Sequence, residues 1–318
     1  MHTGFHSKRT WVSILYGGWT LIGANVLLSA APDNSELAQL KAFIQQPASV
    51  DRIIFDRFPP GKNDPTTATR LEGTCDWPRF FLKSIFPNRQ ELEQGASDSV
   101  PWSYHISGIE ALELYESFPA EIEKLVRMTG GMVPGEEKLR EVLNCGIFLL
   151  KPASLSWDGD DFSAIVNGNI PITGYLTNFN SRGLPSIIYY SFPGGQPKYK
   201  INLAYNGSNV PSFFPYVIER TMLSSQQPAT KNLSRHIVHE LLISTNPLNS
   251  ARFDPIALHS NATRLYHTNK TWTGFRGTNQ ISVVANDKAP KNFVKKLLVV
   301  FLVVTTCFYV FMRYRKGK

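Results

Sequence analysis

Between residues 170 and 244 five strand-length segments follow one another, each closed by turn-forming residues, and this run constrains the fold more than any other feature of the chain. Segment 170–176 leads into Asn178-Phe179-Asn180-Ser181-Arg182-Gly183, segment 184–192 into Pro193-Gly194-Gly195-Gln196, and segment 198–205 into Asn206-Gly207-Ser208-Asn209. Segments 213–223 and 233–244 complete the set. Connections this short cannot make the crossover that parallel strands need, so the five are expected to pair antiparallel, in order. In segment 198–205, Tyr199, Ile201, Leu203 and Tyr205 alternate with Lys198, Lys200 and Asn202. That is a sheet with one wet face and one covered face. In the preceding segment Ile188, Tyr190 and Phe192 share a face, with Ile187 and Tyr189 on the other.

Upstream, residues 35–46 place Leu37, Leu40, Phe43 and Ile44 at helical spacing, with Ser35 to cap and Pro47 to stop the helix. Segments 50–58, 79–86 and 103–108 read as further strands. The stretch 110–144 reads as a helical insertion. Pro119 opens one helix whose Ile122, Leu125 and Val126 share a face, Gly130-Gly131 ends it, and a second carries Leu139, Val142 and Leu143. Residues 246–294 are polar and turn-rich and read as a stalk.

The ends of the chain carry its charge. Lys8 and Arg9 precede an apolar stretch, 11–28, and the small residues Ser29-Ala30-Ala31. This is the order of a secretory signal, and its length equally suits an uncleaved anchor, so 1–31 reads as a signal sequence or an N-terminal anchor. Residues 297–312 form an uncharged run that as a helix spans ~24 Å, which Lys295, Lys296 and Arg313 extend by snorkelling. We read 295–318 as a transmembrane helix with a basic cytoplasmic tail, leaving the bulk of the chain periplasmic or extracellular. Setting aside Lys8, Arg9, Lys295, Lys296, Arg313, Arg315, Lys316 and Lys318 leaves 25 basic residues against 25 acidic ones. The net charge of +8 therefore belongs to the two flanks, and a nucleic-acid partner is not indicated.

Motifs for chemistry are sparse. His236 and His239 are spaced H-x-x-H-E inside a strand-like segment, which sends them to opposite faces rather than to one metal. Asp158, Asp160 and Asp161 lie in a turn without the further oxygen ligands of a calcium loop. The chain has no G-x-S-x-G and no phosphate-cradling glycine loop, and no cofactor is implied. Cys75 and Cys145 fall in the exported part, as one disulfide or as two buried thiols; Cys307 falls in the expected span. Four N-x-S/T sequons begin at Asn206, Asn232, Asn261 and Asn269 and bear on the protein only in a host that glycosylates exported chains.

At Ile172-Thr173-Gly174-Tyr175-Leu176, Gly183-Leu184-Pro185-Ser186-Ile187, Tyr199-Lys200-Ile201 and Phe214-Pro215 the chain resembles the lipoprotein-carrier superfamily typified by LolA and LolB. The similarity extends in order of elements over about 36–245. It implies a curved, incomplete antiparallel barrel with helices plugging the concave face. The apolar face of the sheet, around Tyr199, Ile201 and Leu203, reads either as plain core packed against the helices or as the wall of a groove for an acyl chain that the helices cover. The chain departs from that pattern in its membrane-type C-terminus and in having no signal-peptide cysteine for lipidation, which favours a tethered protein over a shuttle.

The expected fold is therefore α+β: a half-barrel of antiparallel strands over 32–245 with helices on its concave face, followed by the stalk and the transmembrane helix. The expected function is non-enzymatic binding of a lipid, lipoprotein or other apolar ligand in the cell envelope, with the membrane and an envelope protein as candidate partners. The candidate lining is Ile172, Leu176, Ile188, Tyr190, Phe192, Tyr199, Ile201, Leu203 and Tyr205. The alternatives are a structural or adhesion module that binds a protein, and a hydrolase with a dispersed site.

Overall fold

Period-two alternation governs what the chain builds. The computed structural model describes residues 35–46, 49–98, 100–105, 110–193, 198–223, 231–268, 271–276 and 279–281. The expected N-terminal segment 1–31 and transmembrane helix 295–318 lie outside these residues. Among the described residues no helix is long and apolar enough to cross a membrane.

The chain opens with helix α1 (Glu36–Gln45), capped by Ser35, whose side chain accepts from the Ala38 amide at 3.2 Å. Strands β1 (Val50–Phe58), β2 (Thr69–Asp76), β3 (Arg79–Ile85), β4 (Glu91–Ser97), β5 (Val100–His105) and β6 (Ala111–Tyr115) follow. Helices α2 (Ala120–Met128) and α3 (Glu136–Leu143) come next. After them run β7 (Ser156–Asp158), β8 (Asp161–Val166), β9 (Ile170–Phe179), β10 (Pro185–Ser191), β11 (Tyr199–Ala204), β12 (Val217–Met222) and β13 (Lys231–Ile243). The last described elements are the short helix α4 (Pro255–Leu258) and β14 (Thr263–Thr268), β15 (Thr271–Arg276) and β16 (Asn279–Ile281).

Among the described residues these strands form one open sheet of 16, in the order β16-β15-β14-β6-β5-β4-β3-β2-β1-β13-β12-β11-β10-β9-β8-β7. The expected meander is present as β9 to β13, each strand antiparallel to the next. Closing the chain onto itself, β13 pairs antiparallel with β1, which joins the two halves of the sheet.

Two sequence expectations are corrected. Residues 111–115, taken as part of the helical insertion, are strand β6, because Leu112 and Leu114 alternate with Glu113 and bury on one side. Much of the expected stalk is not a stalk. The connection after β13 crosses the sheet to place β14 parallel to β6, and β15 and β16 extend the edge from there. Phe253, fully buried, pins that connection, with the Arg79 guanidinium 5.4 Å from its ring centre. The expectation failed because segment 246–294 is rich in turn residues, whereas a strand that pairs with a distant neighbour needs little apolar signal of its own.

The two faces of the sheet are covered differently. On one, which we call the inner face, α1 and α3 lie on an apolar floor. Leu40, Phe43 and Ile44 of α1 and Leu139, Val142 and Leu143 of α3 join residues of strands β1–β3 and β8–β13 in a single buried cluster. On the outer face a smaller cluster of Trp102, Tyr104, Leu112, Leu114 and Ala262 sits under the connection to β14. There His259 stacks on Tyr104 with ring centres 3.8 Å apart.

Candidate functional site

Helix α3 touches strands far apart in the sheet. Leu139 packs beside Gly73 and Leu82 on β2 and β3, while Gly146, just past the helix, abuts Ile218 and Ile201 on β12 and β11. Between them the helix turns a charged side chain downward. Glu141 is fully buried and faces the inner row of β12 and β13, where Arg220, Ser234 and His236 are buried. Ser234 Oγ donates to Glu141 Oε1 at 2.9 Å, an Arg220 nitrogen lies 3.3 Å from the same oxygen, and His236 Nε2 lies 3.5 Å from Oε2. Arg57, from β1, approaches Oε2 at 3.8 Å. Burial alone raises the carboxyl, but His236, then Arg220 and Arg57, outweigh it and hold Glu141 at about 2, so it is an anion at any physiological pH. The group acts as a clamp that ties α3 to the sheet.

Above the clamp, a cleft of about 830 Å³ opens between the end of α1, the loop after α2, the first turns of α3 and residues 150–153. Trp77, from the β2–β3 turn, forms one wall. The Arg140 guanidinium lies 3.8 Å from its ring centre, a contact of cation–π type. Arg140 Nε donates to Glu136 Oε1 at 2.6 Å, one helical turn away, and Glu136 Oε2 accepts from the Val133 amide at 3.1 Å. Buried Met132 and Leu150 supply apolar surface.

Helix α2 stands beside this cleft and is unusual. It has Ile122, Leu125 and Val126 at helical spacing, yet none of its residues is buried, and Leu125 and Met128 are 41% and 61% exposed. Its end is held where Gly130 meets Gly168 in the β8–β9 turn: a Cβ on Gly130 would come within 2.4 Å of the Gly168 nitrogen. An amphipathic helix normally buries its stripe; here Ile122 and Val126 are only half-buried and Leu125 is exposed, and the chain enters the cleft lining just after the helix, at Gly130.

The nine candidate lining residues are brought together on the inner face. Ile172, Leu176, Ile188, Tyr190, Ile201, Leu203 and Tyr205 are buried in the large cluster, and Phe192 and Tyr199 pack against it half-exposed. Tyr190 and Tyr199 stack with ring centres 4.7 Å apart. None of the nine lines the cleft; they form the floor on which α1 and α3 rest. Cys75 and Cys145 are both free and buried rather than bridged. Burial pushes the Cys75 thiol up to about 12 and raises that of Cys145 as well, which leaves neither reactive. His236 and His239 do face opposite ways: the first is fully buried beside Glu141, and the second points outward to Asp56 at 2.8 Å.

Sequence reading missed Trp77, Glu136, Arg140, Glu141 and Arg220. A signal for the clamp was present. Ile218 and Arg220 share a strand face, as do Ser234 and His236, so the alternation that turns apolar residues inward also turns a guanidinium and an imidazole inward. Charges there need a counter-charge. Trp77 and Arg140 left no such trace, since they lie in a turn and a helix 63 positions apart.

No protein-family model matches the chain, and no curated protein does. Several solved structures are similar to this one, three of them as follows. A structure from Vibrio parahaemolyticus assigned as an outer membrane lipoprotein-sorting protein domain is 11% identical, with 70% of this chain and 97% of that chain covered and a TM-score of 0.39. A DUF1329 family protein from Desulfovibrio piger is 9% identical, with 70% and 99% covered and a TM-score of 0.36. A LolA superfamily protein from Nitrosomonas europaea is 11% identical, with 69% and 96% covered and a TM-score of 0.36.

Proposed function

We propose that this chain is a membrane-tethered, extracytoplasmic binding protein for the acyl part of a lipid or lipoprotein, without catalytic activity of its own. The observation that carries the reading is an open cleft whose lining begins just after an amphipathic helix, α2, that leaves Leu125 and Met128 exposed and buries none of its residues fully. Exposing Leu125 and Met128 to water forgoes about 1.5–3 kcal/mol per fully buried side chain, so a protein that keeps them exposed has a use for them. A bound acyl chain would occupy the cleft, lie under α2, and reach the floor of Ile172, Leu176, Ile188, Tyr190, Phe192, Tyr199, Ile201, Leu203 and Tyr205 as the helices part. In this reading the sheet curls round α3 as a half-barrel. A flat sheet would hold β3 and β11 about 24 Å apart, whereas the chain from Leu139 to Gly146, which touches both, would span about 10 Å even if helical throughout. The Arg140–Glu136–Trp77 group then sits at the mouth, where a headgroup or the polar end of a lipid would rest. The apolar segments 11–28 and 297–312 would keep the domain beside its source of ligand.

Native mass spectrometry of the full-length chain, extracted gently from membranes, tests this. Wild type is expected to carry phospholipid- or lipoprotein-sized adducts. Leu125→Ser with Met128→Ser is expected to lose them while melting at the wild-type temperature, because neither side chain supports the core. Wild type free of adducts, or a double variant that retains them in full, overturns the reading.

A further inference from the structure

The outer face of the sheet carries a second groove, remote from the cleft in character, where the strands β7 to β10 run to the edge. It encloses about 550 Å³. The register explains its lining. Asp158 pairs with Asp161 across β7 and β8, Asp161 with Tyr175 across β8 and β9, and Tyr175 with Tyr189 across β9 and β10. One row across four strands therefore reads carboxylate, carboxylate, tyrosine, tyrosine. The row beside it, two residues along each strand, reads Ser156, Ser163, Thr173, Ser191 by the same pairings: four hydroxyls. All eight residues line the groove. The two tyrosine rings lie 5.2 Å apart at 32°, a shallow platform, and Tyr175 is 37% exposed.

This pattern is not accounted for by folding. The opposite face of the same strands, with Phe162, Ile172, Leu176, Ile188 and Tyr190, already supplies the core. Two carboxylates directly opposite each other weaken a strand pair, and among the described residues neither Asp158 nor Asp161 has an ion-pair partner. Lys200 continues the tyrosine row on β11, cross-strand from Tyr189, but it does not line the groove.

We propose that this groove binds a carbohydrate chain that carries no anionic groups. The lining selects for it on three counts. The C–H face of a pyranose ring packs on an aromatic face, and two neighbouring tyrosines offer successive platforms. Carboxylates accept strongly from hydroxyl donors, and the row of serine and threonine hydroxyls can both donate and accept. Two carboxylates with no cation in the lining repel phosphate, sulfate and uronate, and the absence of aliphatic side chains from both rows disfavours an acyl chain. An exported domain meets such polymers at the envelope. The site does not depend on the acyl-binding reading, because it lies on the other face of the sheet.

The test is titration of the full-length chain, held in a zwitterionic detergent without sugar headgroups, with chitohexaose, cellohexaose and a hyaluronan hexamer, followed by tyrosine and tryptophan fluorescence and by calorimetry. Saturable binding of at least one neutral hexamer is expected, with none of hyaluronan. Tyr175→Ala and Tyr189→Ala are each expected to weaken it about tenfold and Asp161→Asn severalfold, while Tyr175→Phe keeps the platform and the affinity. Lipid adducts should be unchanged in all four variants, which separates this site from the cleft. Failure of both neutral hexamers to bind at millimolar concentration, equal binding of hyaluronan, or binding that survives Tyr175→Ala with Tyr189→Ala overturns the proposal.

Discussion

Replacing Glu141 by glutamine removes a charge and leaves the side-chain shape. In the folded protein it would leave Arg220, whose side chain is 10% exposed, and fully buried His236 facing an uncharged amide. Two independent arguments size the effect. Breaking a buried pair by neutralising one partner costs about 3–5 kcal/mol. Independently, lowering a carboxyl from 4.5 to about 2 on folding corresponds to about 3 kcal/mol, at about 1.4 kcal/mol per decade of proton affinity. The sign follows from the direction of the shift. A carboxyl depressed in the folded state contributes its full stabilisation above its unfolded value of 4.5, and loses it as the pH falls from there towards about 2. Denaturant titration of the full-length chain by tryptophan fluorescence at neutral pH should therefore put Glu141→Gln about 3–5 kcal/mol below wild type, or roughly 6–20 °C in melting temperature. Repeated at descending pH, the gap should hold to about 4.5 and shrink towards 2, because the amide has no proton to gain. A gap under about 1 kcal/mol at neutral pH, or one that does not narrow with acid, would refute the clamp. Exchanging Glu141, Arg220 and His236 together for apolar residues should restore much of the loss, since a well-packed apolar group avoids the desolvation that the ions suffer.

Three further outcomes follow from packing. Gly130→Ala should destabilise by about 1–3 kcal/mol in thermal melts, because its Cβ would strike the Gly168 backbone and its φ of +70° is strained for alanine; Gly131→Ala next door meets open space and should cost less. Gly95→Ala should cost a similar amount, since its Cβ would come within 2.6 Å of both the Phe80 carbonyl oxygen and the Trp102 ring that lies over it. A red shift of Trp102 emission should accompany the loss; unchanged emission and stability would show that the ring does not sit there. Mass-mapped alkylation should leave Cys75 and Cys145 unmodified in the native chain at neutral pH and modify both in denaturant without reductant; a requirement for reductant would mean that they are bridged.

The parts of the fold legible in the sequence share a physical character: they are decided within a few residues. The strands from Ile170 to Ile243 were readable because each buries one face, and a one-residue slip would turn Ile188, Ile201 and Leu203 to water. Helix α1 was readable because Ser35 caps it and its stripe has the helical period. Even the short β7–β8 hairpin could be anticipated, because Gly159 and Asp160 are turn residues between two strands. The same alternation puts Ile188, Tyr190, Ile201 and Leu203 into the large buried cluster.

What only the tertiary structure decided involves partners distant in the chain. The pairing of β14 with β6 joins residues about 150 positions apart, and no local period encodes which strand a distant segment will meet. The mouth of the cleft likewise needs a turn tryptophan and a helical arginine to be brought face to face. The clamp illustrates the division well: alternation alone determines that Arg220 and His236 point inward, but the identity of their counter-charge depends on how α3 lies across the sheet. Backbone stereochemistry and hydrophobic period act over a turn or a strand, whereas a buried charge is tolerable only if the whole fold delivers its partner.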